Sequence, residues 1–196
     1  MRTLIALAVI CLTPLYSQPA KPFAPVKGLK ILSTTLDSTT QDLTDPSGKL
    51  LKVRNVIVHV QNTTDDKTVV AYALVVHEFD KDGKEINPGG AGVGVDHAGP
   101  DNYPNETSQF IQPGQLGSIR NYSAGPETVS VEATITGVVY EDCTWEGAAA
   151  RMTFLGRQNS ARRAREEAAQ AQGSRKAELE RRAEWYEAHG PKDAQQ

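Results

Sequence analysis

The chain has 196 residues, of which 39% are hydrophobic and 23% charged, with a formal net charge of −3. These are ordinary values for a soluble protein able to bury a core, and the length suits one domain plus an extension better than two domains. Charge is unevenly spread: residues 28–147 carry 8 Lys and Arg against 17 Asp and Glu, whereas residues 148–189 carry 9 against 6. An acidic body argues against nucleic acid as a partner, because phosphates need a positive face.

Residues 1–17 read as a secretory signal peptide. Met1 and Arg2 form a short positive end, 4–15 is a mostly apolar run broken by Pro14, and Leu15, Tyr16 and Ser17 precede the expected new N-terminus, Gln18. The apolar run is well short of the ~20 residues that span a bilayer, so a cleaved leader is expected rather than an anchor. Cys11 follows Ile10 within that run, a poor setting for lipid attachment. The expected location is secreted or periplasmic, with no transmembrane segment in the mature chain. Loss of the leader leaves Cys143 as the sole thiol, so no intramolecular disulfide is expected. Two readings of Cys143 stand: burial beside Trp145, or a bridge between chains.

Residues 18–27, with Pro19, Pro22 and Pro25, read as an extended linker. From residue 28 the period becomes two. A first strand is predicted at 29–32, then a polar loop over 33–48. The clearest strand covers 50–61, with Val56, Val58 and Val60 on one face. Residues 68–79 carry apolar side chains on both faces, the pattern of a central strand covered on both sides. Asp80, Lys81, Asp82 and Gly83 make a turn, and a short strand is predicted at 84–86. Residues 87–105 form a long irregular loop containing a short edge strand at 91–95. Further strands are predicted at 107–111, 116–122 and 127–141. About seven short strands with no interleaved helix point to an antiparallel β-sandwich over 28–147.

After Trp145 the composition turns to Ala, Arg, Glu and Gln, predicting a helical extension at 148–189, broken at Gly173 and Ser174 and ended by Gly190 and Pro191. Residues 190–196 are expected to be a disordered tail. Met152, Phe154 and Leu155 are the patch expected to dock on the body, with the alanine-rich remainder projecting or packing weakly. Arg157, Arg162, Arg163 and Arg165 read as a solvated basic stripe.

The search for chemistry yields little. His59, His77 and His97 would form a zinc- or copper-like set if their strands were neighbours, yet no close spacing such as His-x-x-x-His supports it. Asp80 to Gly83 fits the middle of a calcium loop, but its twelfth position would be Gly89, where a bidentate Glu is required. The glycines of 89–94 are followed by no phosphate-loop Lys. Ser118 and Ser123 lie outside any nucleophile motif, and Cys143 has no catalytic neighbours in sequence. Asn62, Asn105 and Asn121 begin glycosylation triplets that matter only in a eukaryotic source.

Three pieces in order carry a resemblance: Val56-x-Val58-x-Val60-x-Asn62, then Phe79-Asp80-Lys81-Asp82-Gly83, then Pro113-Gly114. Together they resemble the bacterial immunoglobulin-like modules of the FxLYD type. The 87–105 loop is longer than that pattern, and the basic helix lies outside it. The resemblance implies an immunoglobulin-like, extracytoplasmic binding or scaffolding module with no catalytic residues and no cofactor. The expected function is therefore binding of a protein or envelope component, with Asp96, His97, Tyr103, Arg162 and Arg163 as contact residues. The alternative is a metal-dependent or hydrolytic envelope enzyme built on His59, His77 and His97. Self-association through the helix or Cys143 is a further expectation.

Overall fold

The structure, a computed structural model, describes residues 26–44, 47–100 and 109–190. The leader, most of the Pro-rich linker, Tyr103 and residues 191–196 lie outside the described residues. Among the described residues seven strands are followed by two helices: β1 (Leu29–Thr44), β2 (Leu50–Asn62), β3 (Val69–Phe79), β4 (Ala91–Asp96), β5 (Leu116–Ala124), β6 (Ser130–Tyr140), β7 (Trp145–Glu146), α1 (Ala150–Gln170) and α2 (Gly173–Ala188). The strands form two antiparallel sheets, one ordered β1-β2-β5 and the other β4-β3-β6-β7.

The two sheets share one core. Val56, Val58 and Val60 of β2 and Ile119 of β5 meet Tyr72, Leu74 and Val76 of β3 and Val138 and Tyr140 of β6. β-branched side chains suit this pleated, buried surface, and strict alternation on β2 sends every second residue into it. β3 departs from alternation for a reason visible in the register. Its core face packs on the first sheet, while Ala71 on its outer face meets Ala150 and Phe154 of α1. The molecule thus has three layers, sheet on sheet on helix.

Buried polar groups tie the sheets together. The Glu78 carboxylate on β3 accepts hydrogen bonds from the hydroxyls of Tyr122 on β5 and Thr128, and from the Gly125 amide at 3.2 Å. Burial, and then the Glu78 carboxylate, push the Tyr122 phenol well above its usual range. At the opposite end Asn62, fully buried, donates to Lys67 O at 2.7 Å and Ile111 O at 2.8 Å, and its Oδ1 accepts from Thr64 N at 3.0 Å. This Asx turn closes the β2–β3 connection.

Several expectations are corrected. The polar 33–48 loop is instead mostly strand, because β1 continues to Thr44. Threonine is a good strand former, and β2 offers an antiparallel partner from Leu29↔Asn62 to Thr44↔Leu50, with irregularities at 31/33 and 36/40. Asp37 sits in the second irregularity, accepting from Thr39 N at 3.1 Å. β5 reaches only to Arg54 on β2, so 42–44 and 50–52 run beyond it as a two-stranded arm with Leu43 and Leu50 exposed. The strand expected at 84–86 is reduced to a single bridge, Phe79↔Glu85; of that expected at 107–111, the described residues 109–111 make the bridge Val69↔Ile111.

The helical extension also differs from expectation. α1 and α2 fold back on each other as an antiparallel hairpin rather than projecting. Two glycines set its start. Gly147 takes φ 75°, and a Cβ there would lie 2.3 Å from Thr136 O, so the chain leaves β7 after two residues and turns onto the outer face. Gly137 lets the α1 backbone approach the sheet, since a Cβ there would sit 2.3 Å from Ala150 N. Of the expected docking patch only Phe154 is buried; Met152 and Leu155 are 68% and 49% exposed.

Candidate functional site

The buried stripe of α1 runs Ala150, Phe154, Arg157, Ala161, Ala164, Ala168, spaced alternately by four and three residues. That is a helix-packing seam, and its small residues allow α2 to approach closely with Leu179 and Ala183. Arg157 therefore falls at a seam position and is 2% exposed, correcting its assignment to a solvated stripe.

Every part of this guanidinium is used. Arg157 Nε donates to Asp96 Oδ2 at 2.7 Å and Nη2 to Asp96 Oδ1 at 2.9 Å, a bidentate pair between α1 and the end of β4. Nη1 donates to His189 O at 2.9 Å, tying down the end of α2. The guanidinium lies over the rings of Phe154 and Trp185, at 5.6 and 5.5 Å. Burial alone would lower its pKa, but the hydrogen bonds and charge of Asp96, with Cys143 beside it, outweigh that and hold it raised. Trp185 in turn stacks on His189, with ring centroids 4.0 Å apart. Cys143 is buried here, so its thiol is not presented for a bridge between chains in this conformation.

Asp96, expected as a partner contact, is committed to this internal pair and also accepts from Ala98 N at 3.1 Å. His97 is buried too. Its amide donates to Val70 O at 3.0 Å, and its ring lies against Tyr72, with Nε2 3.5 Å from the phenol oxygen. Burial pushes the Tyr72 phenol up to about 12, and its hydroxyl donates to Asn121 Oδ1 at 3.1 Å. Arg162 and Arg163 are exposed on α1, more than a turn beyond Arg157, and do not join Asp96 and His97. Between β4 and α1 lies a groove of about 370 Å³, with Asp96 and Arg157 at its base and Met152, Gly156 and Tyr186 along it.

The three histidines of the metal reading are not brought together. His59 is on the β1-β2-β5 sheet, with Nδ1 3.0 Å from Ser118 Oγ. His77 is on β3 in the other sheet, with Nδ1 2.5 Å from Glu85 Oε1. His97 bonds β3 at Val70, roughly 20 Å along the strand from His77. Among the described residues no group of three His, Cys, Asp or Glu is placed to hold a metal ion.

The Glu146 carboxylate was missed by sequence reading. Glu146 Oε2 accepts from Lys27 N at 2.6 Å and Gly28 N at 3.0 Å, and Oε1 from the Tyr140 hydroxyl at 2.7 Å. Burial works to raise its pKa, but these hydrogen bonds prevail and hold it below the usual 4.5. This group anchors the start of β1 to β7.

No family model matches the chain, and no curated protein does. A solved structure that resembles it is described as "X-ray structure of Northeast Structural Genomics Consortium target SoR45"; it is 13% identical, covers 60% of this chain and 78% of its own, and superposes with a TM-score of 0.30. Among the described residues no helix is long and apolar enough to cross a membrane.

Proposed function

We propose that this chain is an exported, non-catalytic binding or scaffolding module with an immunoglobulin-like β-sandwich. The strand grouping supports the architecture. Constant-type immunoglobulin domains put strands one, two, four and five in one sheet and three, six and seven in the other. Here the groups are β1-β2-β5 and β4-β3-β6-β7, so only the fourth strand differs. The FxLYD-type resemblance is compatible with this grouping, and Asn62, its strand-ending residue, has a structural role in the turn.

The observation that carries the binding reading is the Arg157–Asp96 clasp. It joins the helix to the end of the 91–96 strand, so the described part of the 87–105 loop and the helix, the segments expected to contact partners, share one face around the β4/α1 groove. Met152 is exposed on that face, and Arg162 and Arg163 follow on the same helix. A rigid scaffold presenting a mixed apolar and basic surface suits recognition of a protein or envelope component.

Affinity capture from the native envelope, comparing wild type with Met152→Glu and with Arg162→Glu/Arg163→Glu, tests the reading. The same partner should be lost with both variants. Retention of an identical partner set by both would overturn the assignment of this face. The export part has its own test: N-terminal sequencing of the protein recovered outside the cytoplasm should begin at Gln18.

A further inference from the structure

We propose that the open side of the two-sheet body is a strand acceptor, taking an extended segment of a partner protein whose ends carry carboxylates. This surface is separate from the β4/α1 groove, and the inference does not rest on that groove.

The second sheet is incomplete on one side. β6 has β3 beside it from Ser130 to Tyr140, but β7 pairs with it only at Val138 and Val139. Over 131–135 the outer edge of β6 has no strand partner among the described residues. β7 does not continue along it, because Gly147 turns the chain away into α1 and Ala149 N bonds Thr136 O at 3.1 Å. Beside this bare edge runs a cleft of about 670 Å³, lined by Leu29 and Ile31 of β1 and by Ala133 and Ile135 of β6. An unpaired ladder beside an apolar cleft is what strand addition requires: main-chain hydrogen bonds for affinity and room for alternate side chains. Proteins usually blunt such an edge with charge or proline; within 131–135 only Glu132, at one end, is charged, and Ala133, Thr134 and Ile135 leave the rest of the edge without either.

Charge selects the occupant. Lys27 and Lys30 stand exposed at this cleft, on a body with a large acidic excess, and neither ammonium has an acidic partner among the described residues. Carboxylates flanking an extended segment would meet them. The chain's own 18–25 segment is a poor fit, because Pro19, Pro22 and Pro25 lack the N–H a ladder needs and Lys21 repeats the charge.

The test titrates the mature chain with a labelled synthetic peptide of alternating valine and threonine, with aspartates at both ends. Two control peptides are N-methylated at alternate residues, one for each edge of the strand. One N-methylated form should bind about tenfold more weakly or worse, since it loses the ladder donors without any change to the protein. Lys27→Glu/Lys30→Glu should weaken the parent peptide by a similar factor while leaving the circular dichroism spectrum unchanged, and added salt should do the same. Failure of the parent peptide to bind, equal binding of all three peptides, or indifference to the lysine variant would each overturn the proposal. Affinity that rises when residues 18–25 are removed would give the cleft to the chain's own segment. A dimer in sedimentation that the lysine variant abolishes would give it to a second copy. Either result overturns the partner assignment.

Discussion

The two-sheet core and the helical seam bury their surfaces by opposite means. Between the sheets the contact is made by large β-branched and aromatic side chains, with polar groups confined to the ends at Glu78 and Asn62. Beneath and within the hairpin it is made by alanines, with Phe154, Leu179 and Trp185 as the larger apolar groups and a charged Arg157 among them. The core gains from apolar area removed from water. The seam has less such area to offer, so close backbone approach and a multiply bonded cation carry more of its cohesion. A charge in the seam is therefore not a surface feature that happens to be covered. It holds the third layer in register with β4.

The largest effect should come from the core. Leu74→Ala, at 2% exposure, removes a side chain from the centre of the shared cluster and is expected to cost about 4 kcal/mol in urea unfolding. Arg157→Ala is expected to cost about 3 kcal/mol, because it strands Asp96 partly buried and empties the space between Phe154 and Trp185. The sharper form of the comparison is Arg157→Met with Asp96→Leu. If the seam needs only a filled volume, this double replacement recovers most of the loss; if it needs the fork of hydrogen bonds to β4 and His189, unfolding of the hairpin separates from that of the core. Ala164→Leu should cost about 2 kcal/mol through overpacking where α2 comes close, and the same change at exposed Gly156 should not destabilise.

Acid titration gives a smaller, directional effect. The folded pKa of Glu146 is lowered, so its contribution is present above the unfolded value near 4.5 and is lost as pH falls through the folded value. Glu146→Gln should flatten that part of the stability profile in denaturant titrations at successive pH. Smallest of all is Arg165→Ala. Its pair with Glu187 at 2.8 Å is fully exposed, and its removal should leave the unfolding midpoint unchanged in physiological salt.

Much of the two-sheet body was legible because alternation is a strong local signal. Val56, Val58 and Val60 announce their face, and the two-sided apolar pattern of 69–79 anticipates a layer on each side. The second half of β1 was not legible, because threonines among Asp and Ser read as loop until β2 is known to lie opposite. The hairpin illustrates a different limit. The alternating four–three spacing from Ala150 to Ala168 was present in the chain, but an arginine at its third position hid the stripe. Nothing local links Arg157 to Asp96, which lies 61 residues earlier. The histidine trio is the same limit in reverse: it was conditional on neighbouring strands, and β2 and β3 belong to different sheets.

Cys143 illustrates what the hairpin protects. Among the described residues it is the one thiol, and Arg157 and the layer around it cover that sulfur against oxidants and sibling molecules. Shortening the chain before α1 would uncover it. Covalent pairs that form only in such a truncated product, and vanish with a reducing agent, would then report the missing cover rather than any native assembly.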